Sequence, residues 1–181
     1  MNKILILTTI VLSSLFANCQ KDKAAGDPYG NGPRTNVGAA LQGNWMYGQF
    51  SMTEYWSQNP AEYIGNAFEL AIAFRFQANG TYEQYFTSRT VAGTQTTYHQ
   101  SVSKGTVEID EAAGILTTHA NTAHYKRTTN GKTVEDRDLR KEELTVTSRY
   151  AYTTGTEANG TKAIYLQLNG TGNVIPFLQK P

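Results

Sequence analysis

Between Ala67 and Gln77 the chain alternates with a period of two. Phe68, Leu70, Ile72, Phe74 and Phe76 fall on one side, and Ala67, Glu69, Ala71, Ala73, Arg75 and Gln77 fall on the other. Neighbouring side chains of an extended chain point to opposite faces, so this run predicts a strand with one buried face; a helix would scatter the same aromatics around its circumference. Asn79-Gly80 follows, and Thr81 to Thr87 then resumes the extended pattern. Asn-Gly accepts the positive φ angles of a tight turn, so the two runs predict a hairpin. The same punctuation recurs at Asn130-Gly131, between 123–129 and 132–140, and at Asn159-Gly160, between 144–153 and 161–168. Asn169-Gly170 precedes a last run at 174–178. In the 144–153 run, Leu144, Val146, Ser148, Tyr150 and Tyr152 share a face. Further extended runs are expected at 44–53, 94–103, 106–110 and 115–121. Short strands at hairpin spacing, without βαβ alternation, predict an all-β fold: an antiparallel meander closing into a barrel, with a β-sandwich as the alternative.

Two stretches depart from this pattern. In 54–65, Asn59 can cap a helix, Pro60 suits the first helical position, Glu62 stands three residues after the cap, and Gly65 ends the turn. A single helical turn is expected there, with Tyr55, Trp56 and Tyr63 as a lid over one end of the fold. From residue 20 to about 38, Gly, Pro and Asn recur too densely for a regular element, which predicts a flexible spacer.

The first 18 residues are built differently again. Lys3 precedes the apolar run Ile4 to Leu12, and Ser13-Ser14-Leu15-Phe16-Ala17-Asn18 leads to Cys19. A charge, an apolar stretch and small residues before a cut are the marks of a secretory signal. The apolar run is about half of the roughly 20 residues that a spanning helix needs. Leu15 to Cys19 resembles the lipobox of bacterial lipoproteins, with Ala17 and Cys19 matching and Phe16 and Asn18 departing from its commonest form. That resemblance implies cleavage before Cys19, a diacylglycerol on its sulfur and an acylated amino group. Two or more acyl chains make a stable anchor, so the implied partner is a membrane. Gln20 in place of aspartate implies, by the same resemblance, the outer membrane, and Gln20-Lys21-Asp22-Lys23 is similar to short tags used for surface display. Cys19 is the one cysteine of the chain, so no internal disulfide can form.

Composition narrows the partners. Lysine and arginine number 16 against 15 acidic residues, and removal of residues 1–18 takes one lysine, leaving the two signs equal. Nucleic acid, which calls for a clustered cationic face, is therefore not an expected partner. Eleven tyrosines, seven phenylalanines and only five prolines suit a strand-rich domain.

Leu41-Gln42-Gly43-Asn44-Trp45 opens the first expected strand. A Gly-x-Trp at that place resembles the lipocalin signature, in which the tryptophan packs across the closed end of an antiparallel barrel. The long connection after the first strand and the meander are also lipocalin-like. With the lipobox-like segment this gives an expected signal peptide at 1–18 and lipidated tether at 19–38, and the lipocalin resemblance implies a lipocalin-like domain at 39–181. It further implies a basic residue on a late strand over the tryptophan, for which Lys162 and Arg149 are available. A small barrel can hold one small apolar molecule. Trp45, Tyr47, Phe68, Leu70, Ile72, Phe74 and Tyr150 are then the expected wall of a site for a small hydrophobic or amphipathic ligand. An interaction module with a filled core, docking an envelope protein or a glycan, is the alternative.

Little in the chain points to catalysis. His99, His119 and His124 would need to converge to hold zinc; on a continuous strand His119 and His124 point to opposite faces, and only a turn at Asn121-Thr122 would bring them together. The acidic run Glu135-Asp136-Arg137-Asp138 and Glu142-Glu143 is interleaved with Lys132, Arg140 and Lys141, as in a solvated hairpin tip. No nucleophile elbow or phosphate loop occurs. Neither a cofactor, a metal nor an enzymatic activity is expected.

Overall fold

The computed structural model describes residues 26–48 and 68–181, and of Phe68 and Glu69 the backbone alone. Nine strands form one antiparallel sheet: β1 Gly43–Tyr47, β2 Phe68–Phe76, β3 Thr81–Ala92, β4 Gln95–Asp110, β5 Ile115–Thr129, β6 Lys132–Asp138, β7 Thr147–Thr156, β8 Lys162–Leu168 and β9 Ile175–Lys180. Pairing runs in chain order from β1 to β5, passes from β5 to β7, continues through β8 to β9, and returns from β9 to β1. The meander is thereby closed into a ring of hydrogen bonds through eight strands, as the pattern of runs and turns predicts. The first half of β5 pairs with β7 inside this ring. Its second half pairs with β6, which extends the sheet beyond the ring. A single 3-10 turn, Lys141–Glu143, joins β6 to β7.

The four Asn-Gly dipeptides at 79–80, 130–131, 159–160 and 169–170 connect strands. Asn130 and Gly131 have φ angles of 48° and 77° and form the two-residue loop between β5 and β6. Both positions demand a left-handed backbone, which is the reason for this pair of residues.

Two expected breaks are absent. The runs 94–103 and 106–110 are one strand, β4, and 115–121 and 123–129 are one strand, β5. Gly105 pairs with Ala120 and Lys104 with Thr122, so Asn121 is taken up as a bulge. A bulge bends a long strand without ending it. Gly105 permits the close approach, because a Cβ there would collide with the His119 carbonyl.

The interior core joins Trp45, Phe74, Phe76, Tyr82, Val107, Leu116, Ile164, Leu166 and Phe177, with Val37 and Leu41 closing one end. Trp45 is 1% exposed and its indole N–H donates to the Leu41 carbonyl at 2.8 Å. Lys162 and Arg149 are both exposed, so the expected basic cover over Trp45 is not what shields it. A second apolar row, Met46, Ala73, Tyr85 and Val102, is buried on the opposite face of β1–β4. These four stand directly across from one another in register.

The described part of the expected tether is bound to the sheet. Val37 is 3% exposed, the Thr35 amide donates to the Val107 carbonyl, and the Val37 amide donates to the Ala78 carbonyl. Asn121 donates to the carbonyls of Asp27 and Pro28, and the Tyr29 hydroxyl donates to Glu83 at 2.8 Å. The strap from Asp27 to Leu41 therefore runs along the outside of the sheet and then under its closed end. The expected signal segment, Cys19, and the helical turn and lid residues of 54–65 lie outside the described residues.

Candidate functional site: a polar chamber in the ring

Cross-strand register orders the inner face into rows. One row runs Trp45, Phe74, Gln84, Ser103, Ala123, and the next runs Tyr47, Ile72, Phe86, Ser101, Tyr125. In both rows β1 and β2 contribute aromatic or aliphatic groups, while β3 and β4 bring in Gln84 and Ser103 in the first row and Phe86 and Ser101 in the second. The apolar side is packed. Phe74 lies with its ring centroid 5.5 Å from Phe76, 5.4 Å from Phe177 and 5.9 Å from Tyr150. The polar side opens into a chamber of about 280 Å³.

Tyr82, Gln84 and Phe86 of β3, Ser101 and Ser103 of β4, Thr118, Ala120 and Ala123 of β5, and Ser148 of β7 form its walls. Leu139, Glu143, Leu144 and Thr145, from the connection between β6 and β7, form its cover. Tyr82 is the floor. It is 1% exposed, and burial pushes its phenol up to about 12, against a hydrogen bond to Thr118 that pulls the other way. Gln84 and Ser103 face each other across the β3–β4 pair. No hydrogen bond among the described residues engages the side chains of Gln84, Ser103 or Thr145, so these groups are left for the contents of the chamber.

The cover is held by ion pairs. Arg137 donates to both oxygens of Glu143 at 2.9 and 2.8 Å, and through Nε to Glu135 at 2.8 Å. The Arg140 amide donates to Glu143 at 2.9 Å. The Arg137 hydrogen bonds hold the Glu143 carboxyl well below the usual carboxylate range, with the Arg140 amide adding to the effect. The one charged group in the lining is thus already satisfied by cations of the cover itself.

At the same end of the ring stand Val146 just ahead of β7, Leu168 at the end of β8 and Val174 just ahead of β9, each about half exposed. All three are apolar side chains open to solvent at that end of the ring.

No protein-family model matches this chain, and no curated protein matches it either. Function has to be read from the chamber itself.

The residues expected as a ligand wall are distributed differently. Trp45 and Phe74 are fully buried core, Ile72 and Tyr150 pack against that core, Leu70 is partly buried, and Tyr47 is exposed on a contact with Phe177. The Phe68 side chain lies outside the described residues. None of the six described side chains lines the chamber, because the apolar face of β2 is spent on packing against β9 and β7. Tyr47 lines a separate outer hollow beside Met46, Pro176 and Leu178.

The bulge also changes the histidines. His119 stands opposite Thr106 and His124 opposite Val102, four residues apart on β4, so both point to the outer face. His99 stands opposite Arg127 on the inner face. Each has its own partner: His99 meets the Tyr125 hydroxyl at 2.6 Å, His119 meets Glu108 at 2.7 Å, and His124 lies between Asp138 at 2.7 Å and Asp136 at 2.8 Å. Among the described residues no cluster of three such side chains is placed to hold a metal. The acidic run is split by strand alternation, with Glu135 and Arg137 on the face of the chamber and Asp136 and Asp138 on the outer face.

Proposed function

We propose that this protein is a lipid-anchored envelope protein that holds one small amphipathic molecule in the ring, its polar part in the chamber and its apolar part on the Val146–Leu168–Val174 rim. The observation that carries this reading is the half-buried, unengaged Gln84 and Ser103 side chains facing each other inside a half-open hollow of the ring. Half-buried polar groups that face one another in a hollow can hydrogen-bond a polar molecule that enters it. At about 280 Å³ the chamber lies at the small end of the roughly 300–1,000 Å³ typical of ligand sites. A purely hydrophobic ligand suits it poorly, since the aromatic side of the interior is already filled.

Two supports stand outside the chamber. The lipobox-like Leu15–Cys19 segment supports an acyl anchor, and the closed meander with Trp45 at its covered end is compatible with a lipocalin-like domain. Labelled palmitate should enter the wild-type chain and be missing from Cys19→Ser; label retained by the variant would refute the anchor. For the site, 1,2-hexanediol titrated into the full chain should shift the NMR signals of the Gln84 carboxamide and of the Leu168 and Val174 methyls together. Shifts confined to the rim, or none, would count against occupancy of the chamber.

A further inference from the structure

We infer that the bulge in β5 couples the strap on the outside of the sheet to the cover over the chamber, so that the strap's hold on Asn121 and Thr122 sets how firmly the chamber is closed. The coupling goes beyond the ligand reading and stands on the hydrogen bonds around four consecutive residues, Ala120 to Ala123.

The cover meets β5 at both of its ends, and those ends flank the bulge. The Leu139 amide donates to the Ala123 carbonyl at 2.8 Å, and the Ala120 amide donates to the Val146 carbonyl at 2.8 Å. At this point β5 changes partner, since 115–119 pair with β7 and 124–129 pair with β6. The connection from 139 to 146 bridges the change. Between its ends the cover buries little: its 3-10 turn has no buried residue, and Leu144 is half-buried. Arg137 holds Glu143 there by two hydrogen bonds, and both side chains are partly open to solvent. A bidentate pair fixes geometry, but solvent-exposed pairs contribute little stability. The position of the cover therefore depends on where β5 places its two ends.

The strap meets the same four residues from outside. The Asn121 carboxamide donates to the carbonyls of Asp27 and Pro28 at 3.3 and 3.1 Å, and the Thr122 hydroxyl donates to Pro28 at 3.0 Å. Gly30, with a φ of 67°, comes so close that a Cβ there would stand 2.6 Å from the Asn121 carboxamide carbon. Asn121 is the residue that β4 leaves unpaired. A bulged residue is the part of a strand that the ladder does not fix. Here the strap fixes it from one side, and the cover hangs from its neighbours. Release of the strap lets the bulge relax, and the ends of the cover move with it.

The test places Ser103→Cys in a Cys19→Ser background and follows the reaction of the folded chain with a bulky maleimide. Asn121→Ala with Thr122→Val removes the strap's hold from the side of β5. Gly30→Ala disturbs the same contact from the strap and leaves every strand unchanged. Either should raise the rate at position 103 about fivefold or more, while a thiol at position 164, from Ile164→Cys, stays protected. Coupling is reciprocal, so Glu143→Gln, which loosens the cover, should speed tryptic cleavage after Arg34 as well as the reaction at 103. An unchanged rate at 103 in both strap variants, or unchanged cleavage after Arg34 in Glu143→Gln, would overturn the coupling. A thiol at 164 that becomes as reactive as the one at 103 would overturn it too, since the whole ring would then have loosened. None of these outcomes bears on the ligand reading, which the diol titration tests by itself.

Discussion

Glu83 shows how much one side chain settles here. It is 5% exposed on the outer face, yet it is charged. Its oxygens accept from the Tyr85 hydroxyl at 2.6 Å and the Tyr29 hydroxyl at 2.8 Å, and Lys104 stands at 3.1 Å and Arg75 at 3.5 Å. Burial alone would raise its pKa, but the hydrogen bonds from Tyr85 and Tyr29, followed by Lys104, outweigh burial and bring it below the usual value. Its contribution is therefore present above the ordinary carboxylate range and is lost as pH falls through the lowered pKa. Glu83→Ala should cost about 1–3 kcal/mol, the penalty for stranding hydrogen-bonded partners, and should free the strap through Tyr29. Urea unfolding measures the first effect and proteolysis within residues 27–36 the second. A variant as stable and as resistant as wild type would contradict this role.

At the scale of elements, the β5–β6 hairpin carries a pH response. His124 on β5 lies between Asp136 and Asp138 of β6, with Lys126 3.9 Å from Asp136 and Val102 of β4 opposite. Burial pulls the imidazole pKa down, but hydrogen bonds and charge from Asp138 and Asp136 outweigh burial and raise it. A raised histidine pKa means that the stabilisation is complete below the unfolded value of about 6.5 and fades as pH rises through the folded value. Amide exchange across 124–138, corrected for intrinsic rates, should show more protection at pH 6 than at pH 8.5, and His124→Gln should remove the difference. Equal protection at both pH values in the wild type would refute the claim. The hairpins themselves were legible from Asn-Gly turns and two-residue alternation, because both signals are local. The bulge at Asn121 was not legible, since it is set by the close approach of Gly105 to His119 from another strand. Missing it assigns His119 and His124 to opposite faces and breaks two long strands into four.

For the molecule as a whole, the ring follows from the sequence but its contents do not. Apolar alternation marks an inward face only when a sheet has one apolar face. Here β1–β4 bury Met46, Ala73, Tyr85 and Val102 on the outside as well, and the side of β4 turned into the ring carries Ser101 and Ser103. A search for apolar wall residues therefore finds the packed core at Trp45, Phe74 and Tyr150 and passes over Gln84 and Ser103, whose placement becomes visible only once the register is known. The strap shortens the free spacer too. From Cys19 to Asp27 the chain reaches at most about 28 Å when extended, so an acyl anchor at Cys19 would hold the domain close to the bilayer.

The ring is solid on one side and hollow on the other. Cysteine accessibility tests it directly, with Ser103→Cys and Ile164→Cys introduced separately into a Cys19→Ser background and both treated, folded, with methyl methanethiosulfonate. The thiol at position 103 should react readily, while that at 164, which replaces a side chain with no exposure, should stay protected until the protein unfolds. Equal protection of both positions in the folded state would mean that the interior is filled throughout, and would contradict it.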